Sequence, residues 1–373
     1  MKLPVKVSAS EIGRLLVIGF EGTDLSPELR SLLLRIQPAG VILFARNIVQ
    51  AQQTHKLIKD CRALVREPLF ACVDLEGGRV DRFREIIGPT PAAGQVFSTG
   101  DKRLFRRHGE IIGKACRALG FNVNLAPVLD LAFPASRRVM GSRAVSKEPM
   151  EVVLYARQFL RGLAACGIIG AGKHFPGLGE GRLDSHHDLP VIKKSFAQLW
   201  DQDLVPYRTI KRELPMLVVN HANYPAVTRD RLPASLSKKW MTEVLRRSLA
   251  YKGLILSDDL EMGGVLKAAS IGEAAVEFIR AGGDLCLICR QQENVEDAFR
   301  AMVRECERDS RFRRRVAESA LRVSKFKAKR KRFRPLAAPS PETVGNLKRQ
   351  IWEFSEQIRF ESFSFAAGSG AGR

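Results

Sequence analysis

Eight short apolar runs alternate with amphipathic stretches along the chain as far as Cys289, and this alternation most constrains the fold. The runs are apolar almost throughout, as are parallel strands that are buried on both faces. The stretches between them carry apolar residues at helical spacing, and several end in glycine, a common helix stop. Eight β–α alternations within about 300 residues predict a (β/α)8 barrel rather than an open doubly wound sheet. In chain order the runs are 15–20, 40–44, 69–76, 122–131, 167–176, 216–224, 253–260 and 284–289.

The composition is compatible with one large globular domain. The chain has 373 residues, of which 45% are apolar and 27% are charged. These proportions are ordinary for a soluble globular protein and exclude a mainly disordered, collagen-like or coiled-coil chain. No apolar run is long enough to span a bilayer. We therefore predict one α/β domain, a TIM-type barrel, over residues 1–335, and a linker, a terminal helix and a disordered tail over 336–373.

The positive charge of the chain is concentrated near its C-terminus. Sixty-one Lys and Arg residues against 40 Asp and Glu residues give a net charge of +21. Residues 304–334 alone contain fourteen basic and four acidic side chains, a net charge of +10. Such a run is usually a solvated surface or a source of loose attraction to polyanions. We therefore predict a basic helical extension at the C-terminus and no specific nucleic-acid partner.

Cysteine usage and the N-terminus favour a cytoplasmic location. The seven cysteines are scattered and odd in number, which argues against a disulfide framework. Cys286 and Cys289 form a CxxC pair, but it lies inside an apolar run with no second pair, so no metal site is predicted. The N-terminus has no continuous apolar segment after its lysines, unlike a signal peptide. We expect a cytoplasmic protein that does not bind membranes.

Polar side chains with catalytic chemistry end five of the apolar runs. In a (β/α)8 barrel the carboxyl ends of the strands converge on one mouth, where the active sites of such enzymes lie. Five strands that end in this way predict a shared pocket, although any one of these residues can simply cap the following helix. The residues are Asp74 and Glu76, Asp130, Lys173 and His174, His221 and Asn223, and Asp258 and Asp259.

The segment 173–190 joins one of these strand ends to a glycine-rich loop that can move. Asp184 and His186 are two residues apart in this loop. A carboxylate beside an imidazole can fix its tautomer and raise its basicity. The loop therefore predicts a general acid/base on a mobile segment, although His187 and Asp188 can form the same kind of pair.

Two adjacent aspartates end the seventh run. Neighbouring residues on a strand point to opposite faces, so only one of them should face the barrel mouth. Asp258 is the candidate nucleophile. Asp259 is expected to cap the next helix or to make a structural hydrogen bond.

Two further segments offer polar groups to the same mouth. Asp74 suits sugar hydroxyls, and the Gly-Gly turn after it is followed by Arg79 and Arg82. This turn can also bind phosphate, but it lacks the spacing of a P-loop. Asp130 and Arg143 are either members of the site or a buried ion pair that ties a loop to the barrel.

Six motifs occur in a fixed order along the barrel region. They are GVILFARNI (40–48), EGGRV (76–80), NLAPVLD (124–130), KHFPGLG (173–179) followed by DSHHDLP (184–190), YPAV with PASLS (224–237), and SDDLEM (257–262). In this order they resemble glycoside hydrolase family 3 over roughly residues 12–330. The resemblance is strongest to the single-domain bacterial β-N-acetylhexosaminidases of that family.

The resemblance implies a retaining, two-step hydrolysis. Asp258 would attack the anomeric carbon and form a covalent glycosyl-enzyme, which water then hydrolyses. Most retaining glycosidases pair two carboxylates. Here the resemblance implies His186 as the acid/base, with Asp184 as its partner, and a histidine titrates near neutrality without a raised pKa.

The resemblance also implies the substrate and its contacts. The substrates would be muropeptides that carry β-1,4-linked N-acetylglucosamine on 1,6-anhydro-N-acetylmuramic acid, and the process would be peptidoglycan recycling. No metal or organic cofactor is implied, and a monomer is favoured. The implied sugar contacts are Asp74, Arg82, Arg143, Lys173 and His174, with His221 as a further contact.

The chain departs from the family pattern at three positions near the site. Leu178 and Glu180 stand where the family often has His and Asp, and Val145 stands where an aromatic residue often follows the Gly-x-Arg-Ala turn. The first two lie in the glycine-rich loop, so they bear on leaving-group preference. The family's β-glucosidases usually add a second α/β domain, which has no place in this chain.

Three alternatives remain open from the sequence. One is a related family 3 β-glycosidase or phosphorylase with another aglycone or acceptor. Another is a polyanion-binding protein on a degenerate barrel. The third keeps the substrate but makes its acetamido oxygen the nucleophile, with Asp258 and Asp259 as the supporting pair.

Overall fold

Eight parallel strands close into a barrel, and two short strands form a hairpin at its mouth. The computed structural model describes residues 6–181, 189–329 and 337–369. Its strands are β1 (Leu16–Ile18), β2 (Gly40–Leu43), β3 (Phe70–Val73), β4 (Leu75–Gly77), β5 (Val80–Asp81), β6 (Val123–Asn124), β7 (Ile169–Phe175), β8 (Met216–Val219), β9 (Leu254–Asp259) and β10 (Leu285–Ile288). The barrel order is β1-β10-β9-β8-β7-β6-β3-β2, and β2 pairs with β1 to close it. Each barrel strand falls within one of the eight apolar runs, so the predicted (β/α)8 fold is confirmed.

Helices surround the barrel and connect its strands. They are α1 (Ala9–Gly13), α2 (Pro27–Ile36), α3 (Ala51–Leu64), α4 (Arg84–Ile87), α5 (Ala93–Phe97), α6 (Lys102–Ala118), α7 (Pro149–Ala165), α8 (Phe196–Asp201), α9 (Val205–Ile210), α10 (Pro225–Thr228), α11 (Gly263–Leu266), α12 (Ile271–Ala281), α13 (Gln292–Arg308), α14 (Ser310–Ala328) and α15 (Pro341–Ser369). A π-helix spans Lys239–Ser248. Among the described segments, no helix combines the length and the apolar character needed to cross a bilayer.

Strand alternation divides the apolar residues between two layers. In β8, Met216 and Val218 belong to the cluster inside the barrel, whereas Leu217 and Val219 belong to the cluster between the strands and the helices. This division follows from the period of two along a strand. It explains why the runs read as apolar throughout, since both faces of each strand are buried.

The terminal helix α15 packs on the outside of the barrel. Leu347, Ile351, Phe354 and Ile358 are buried in the same apolar cluster as the barrel helices, and their spacing places them on one helical face. The Phe354 ring stacks on the ring of buried His108 in α6, with a centroid distance of 5.9 Å. α15 thus forms part of the barrel's outer layer and continues to Ser369. Residues 370–373 lie outside the described residues.

Replacing Phe354 with Ala tests the packing of α15. Its side chain is fully buried, and we expect Phe354→Ala to lower the free energy of unfolding by about 3 kcal/mol, because it opens a cavity against α6. Trp352 is 64% exposed on the same helix, so Trp352→Ala is the matched control and should change stability by less than about 0.5 kcal/mol. Urea denaturation measures both. Equal losses in the two variants would show that α15 does not pack as described.

A buried lysine lies at the amino-terminal end of the barrel. The Lys327 side chain in α14 is buried, and Nζ donates to the Ala39 carbonyl at 2.9 Å and lies 4.7 Å from the centre of the Phe70 ring. Burial lowers the pKa of Lys327 to about 7, although the charge of Glu67 opposes this shift. The unfolded chain, with an ordinary lysine pKa, therefore holds a proton between pH 7 and 10 that the folded chain has lost.

This difference makes the stability depend on pH. The folded pKa lies below the unfolded pKa, so the free energy of unfolding rises with pH across the interval between them. From pH 7.5 to pH 9, the wild type should gain about 2 kcal/mol relative to Lys327→Met, which lacks the titrating group. Lys325→Met removes an exposed lysine from the same helix and serves as the control. A wild-type advantage that does not change with pH would contradict the predicted titration of Lys327.

Candidate active site

A cavity of about 550 Å³ opens at the carboxyl ends of the barrel strands. Strands β4, β7, β8, β9 and β10 and the segments that follow β2 and β3 all contribute side chains to its wall. The predicted shared pocket is therefore present. It brings together six residues that the sequence analysis names as nucleophile or sugar contacts, which are Asp74, Arg82, Arg143, Lys173, His174 and Asp258.

Two carboxylates and two cations form an ion cluster in the cavity wall, which consists of Asp74, Glu76, Arg143 and Lys173. Lys173 Nζ lies 2.6 Å from Asp74 Oδ1 and 2.6 Å from Glu76 Oε1. Arg143 donates to both oxygens of Glu76, from Nε at 2.7 Å and from Nη2 at 2.8 Å. The cluster joins the end of β3, the β4–β5 hairpin, β7 and a short 3-10 turn at Gly141–Arg143.

Mutual neutralisation keeps the buried members of this cluster charged. Burial alone would raise the pKa of Glu76, but Lys173 and Arg143 hold that pKa far below its usual range. Burial would likewise lower the pKa of Lys173, but Asp74 and Glu76 raise it. Glu76 is therefore a carboxylate and Lys173 an ammonium at neutral pH, and both have fixed orientations before a substrate arrives.

Asp130 orients His174 rather than pairing with Arg143. His174 Nδ1 lies 2.5 Å from Asp130 Oδ2, and the Leu178 amide donates to Asp130 Oδ1 at 2.6 Å. Because the Asp130 carboxylate accepts, His174 Nδ1 is the donor of this bond. The other ring nitrogen, His174 Nε2, faces Arg143 and lies 3.4 Å from its Nη2. The predicted alternative of a buried Asp130–Arg143 ion pair is wrong, since the partner of Arg143 is Glu76.

Both aspartates at the end of β9 border the cavity, and the strand pairing is irregular at this point. Leu285 of β10 pairs with Leu256, but Leu287 pairs with Asp259. β9 therefore holds one extra residue between these pairs, as in a β-bulge, and the extra residue breaks the alternation.

The two neighbouring carboxyl groups titrate differently. Burial would raise the pKa of Asp258, but His174, His221 and Lys173 outweigh it and lower that pKa below its ordinary value. Burial raises the pKa of Asp259 to about 7, and the charges of Glu261 and Asp258 add to the shift. At neutral pH Asp258 is therefore ionised, whereas the pKa of Asp259 lies far above the ordinary value for an aspartate. One carboxylate of the pair is available as a nucleophile.

Asp259 makes structural hydrogen bonds, as the sequence predicts. Its Oδ1 accepts from the Glu261 amide at 3.0 Å and from the Cys289 amide at 3.2 Å. These bonds tie the end of β9 to the residue after β10. The Asp259 amide itself donates to Asp258 Oδ1 at 3.0 Å, which fixes one oxygen of the neighbouring carboxylate.

His221 lies behind these aspartates and not in the cavity wall. Its Nδ1 is 2.7 Å from Ser235 Oγ, and its Nε2 is 3.0 Å from the Asp259 carbonyl. The ring is fully buried. The predicted sugar contact of His221 therefore has no support in this placement, which instead suits a residue that positions the β9 end.

Arginines form one side of the cavity. Arg82 lies 5.4 Å from the centre of the Phe44 ring, and its buried Nε has no hydrogen-bond partner among the described residues. Arg79, in the turn of the β4–β5 hairpin, donates to the Val139 carbonyl. This bond fixes the loop that contains Arg138 against the hairpin. Arg82 therefore presents donors that a bound sugar can satisfy.

The glycine-rich loop is described up to Gly181. Leu178 is buried in the cavity wall, and Glu180 lies 3.6 Å from Lys194. The predicted acid/base His186 and its partner Asp184 lie outside the described residues. Within the described ranges, no three His, Cys, Asp or Glu side chains are grouped so as to hold a metal ion.

Comparison with known proteins identifies the family. The model of the glycosyl hydrolase family 3 N-terminal domain matches residues 8–325. The chain belongs to glycoside hydrolase family 3. It is 39% identical over 292 residues to a beta-hexosaminidase of Alkalilimnicola ehrlichii, covering 76% of this chain and 83% of that protein. It is 34% identical over 347 residues to a beta-hexosaminidase of Idiomarina loihiensis, covering 92% of this chain and 98% of that protein.

A solved structure agrees with this assignment. A glycoside hydrolase family 3 beta-N-acetylglucosaminidase from Paenibacillus sp. superposes with a TM-score of 0.84 at 29% identity, over 94% of this chain and 69% of that chain. The resemblance that the six motifs carry is therefore confirmed at the level of the family and of the barrel.

Sequence reasoning on this family 3 enzyme missed two sets of contacts that organise its cavity. It predicts Glu76 only as a polar strand end, and it offers Asp130 as a member of the site or a partner of Arg143 without predicting its contact with His174. A signal existed for Glu76, because residues two apart on an extended segment share a face and Asp74 precedes it by two. We find no comparable signal for the contact of Asp130 with His174, which joins two different strand ends.

Glu76→Gln tests the ion cluster. Removing this charge leaves Lys173 and Arg143 buried with one carboxylate fewer, so we expect the free energy of unfolding to fall by about 3 kcal/mol. Glu21 is paired with Arg290 at the surface, where it is 54% exposed, and Glu21→Gln should cost less than about 1 kcal/mol. Urea denaturation at pH 7 measures both variants. A loss no larger than that of Glu21→Gln would mean that the cluster does not hold the site together.

Proposed function

We propose that this family 3 enzyme is a retaining β-N-acetylglucosaminidase. The observation that carries the proposal is an ionised Asp258 in the wall of a cavity whose other polar groups are held ready to bind a sugar. The names of the curated relatives and of the Paenibacillus structure support this substrate class. The predicted acceptor is water.

In the first step, Asp258 attacks the anomeric carbon. A bond forms between a carboxylate oxygen and that carbon, while the bond to the leaving oxygen breaks and its electron pair stays on the oxygen. His186, assisted by Asp184, protonates that oxygen. In the second step His186 removes a proton from water, which attacks the anomeric carbon from the opposite face and releases Asp258. Two inversions give net retention.

The cavity supplies the contacts that hold the sugar. Asp74 accepts from hydroxyl groups, and its orientation is set by Lys173. Arg82 donates from the hairpin side. Arg143 and His174 complete the predicted set, and both are already oriented, by Glu76 and by Asp130 respectively. Substrate binding therefore needs little rearrangement of these groups, which lowers its entropic cost.

We further propose the specific substrate and setting. The aglycone is the 1,6-anhydro-N-acetylmuramic acid of a muropeptide, and the reaction belongs to peptidoglycan recycling in the cytoplasm. These proposals rest on the family motifs. The apolar Leu178 in the cavity wall is where this chain departs from the family pattern, and we expect it to affect the preference among aglycones.

Variants of Asp258 test the nucleophile. With a chromogenic β-N-acetylglucosaminide, we expect Asp258→Asn to lower kcat by at least about a thousandfold, because the amide cannot form the covalent intermediate. Asp201→Asn makes the same chemical change at an exposed residue of α8 and should leave kcat within about twofold. Near-normal turnover by Asp258→Asn would refute the assignment.

The leaving group tests His186. We expect His186→Ala to lower kcat/KM by about a hundredfold or more for a substrate with a poor leaving group. The loss should be far smaller for a dinitrophenyl glycoside, whose oxygen needs no proton. A uniform loss with both leaving groups would indicate a structural role for His186.

Adding inorganic phosphate separates hydrolysis from phosphorolysis, and we expect no glycosyl phosphate among the products.

A further inference from the structure

A second cavity lies at the opposite end of the barrel from the candidate active site. Its volume is about 860 Å³, and it lies between the residues that precede β8, those that precede β9, and α14. β9 begins at this end and carries Asp258 at the other. Its six residues place the two cavities about 17 Å apart along the strand. A ligand here would not touch the sugar site.

The wall of this cavity is strongly basic. Among the described residues that line it, one acidic side chain, Glu318, stands against six basic ones, which are Lys211, Arg212, Lys252, Arg322, Lys325 and Lys329. These six come from three separate segments of the chain. The basic run at 304–334 therefore does not simply face solvent, since three of its residues converge here with three from elsewhere.

Four of the six basic side chains are unneutralised. Arg212, Lys252, Lys325 and Lys329 are exposed and make no ion pair or side-chain hydrogen bond with another described residue. Within the described part of the chain, the Lys211 side chain donates only to the neutral carbonyl of Leu249, at 2.8 Å. Like charges that face one cavity repel one another, and the walls of a cleft concentrate their field.

The protein beneath the cavity adds to this positive potential. The single buried carboxylate of Asp284 accepts from Arg322 at 2.5 Å, from Arg246 at 2.5 Å and from Arg315 at 3.3 Å. Three guanidinium groups therefore share the charge of Asp284, and the only further carboxylate paired with them among the described residues is Glu318, 3.6 Å from Arg315. The other hydrogen bonds of Arg246 and Arg315 go largely to backbone carbonyls, which carry no net charge to offset them.

We propose that this cavity is a binding site for a small ligand with two or more phosphate groups. Guanidinium and ammonium groups are the usual partners of phosphate oxygens. The number of unneutralised cations exceeds what one monovalent anion can satisfy. Leu321 and Phe326 also line the cavity, and they offer an apolar surface to an organic part of the ligand. This inference is independent of the proposed glycosidase activity.

Calorimetry with two probes tests the site. Inorganic tripolyphosphate supplies the charge alone, and a nucleoside triphosphate supplies the same charge with an organic group. We expect both to bind the full-length protein, and we expect affinity to fall between 50 mM and 300 mM NaCl, because screening weakens each charge pair. A tighter Kd for the nucleotide would show that the apolar wall takes part. Equal values would assign the binding to the phosphates alone.

Charge variants locate the binding. Arg212→Gln with Lys325→Gln should raise Kd for tripolyphosphate at least about tenfold, because two charge-assisted contacts are lost. Lys59→Gln with Lys102→Gln removes the same charge from α3 and α6, outside the cavity, and should change Kd by less than about twofold. Glu318→Gln should lower Kd, which tests the site with a gain of affinity. Glycosidase activity should be unchanged in all of these variants.

Three results would overturn the proposal. The first is no detectable binding of either probe at 50 mM NaCl. The second is an equal loss of affinity in the cavity variant and in the control, which would indicate diffuse attraction to a basic surface. The third is binding only of a long oligonucleotide, with Kd unaffected by the Arg212 and Lys325 changes, which would indicate an extended nucleic-acid surface instead of this cavity.

Discussion

Charge neutralisation among Asp74, Glu76, Arg143 and Lys173 is the constraint on which the catalytic end of the barrel depends. These two carboxylates and two cations come from three separate segments of the chain, and two of the four, Glu76 and Lys173, are nearly removed from water. A buried ion is tolerated only when it is paired and hydrogen-bonded. The hairpin, the end of β3, β7 and the 3-10 turn must therefore meet in one arrangement, and that arrangement forms the cavity.

The same electrostatic logic assigns different states to the two aspartates of β9. Asp258 lies near Lys173 and two histidines, and they stabilise its charge despite burial. Burial raises the pKa of Asp259 to about 7, its acidic neighbours add to this shift, and the hydrogen bonds from the Glu261 and Cys289 amides offset only part of it. Adjacent residues of one type thus differ in ionisation, and one of them, Asp259, fastens the strand end to β10. This difference weighs against a mechanism in which the two act as an equivalent supporting pair.

Much of the barrel could be predicted from the sequence, because its signal is local. Each run is apolar on both faces, and each intervening stretch has helical spacing, so the eight alternations specify the topology. The strand-end residues could also be placed at one mouth. Their partners could not be predicted, because pairings such as Asp130 with His174 depend on irregular backbone between strands.

Two other features lay beyond sequence reasoning for related reasons. The extra residue in β9 interrupts the alternation just before Asp258 and Asp259, and a bulge leaves no mark in the apolar pattern. The convergence of Lys211, Arg212 and Lys252 with the basic run of α14 joins segments that are far apart in the chain. Composition shows the excess of charge, but only the fold shows that part of it surrounds a cavity.

The central claim is that Asp258 forms a covalent bond to the sugar. The most direct measurement is peptide mapping by mass spectrometry after the enzyme reacts with an activated 2-deoxy-2-fluoro glycoside, whose glycosyl-enzyme intermediate is hydrolysed slowly. The account predicts a single fluorosugar adduct on the peptide that contains Ser257–Asp258–Asp259, with fragmentation that places it on Asp258. Turnover of a natural-type substrate with no adduct from this reagent, or an adduct on any other residue, would contradict it.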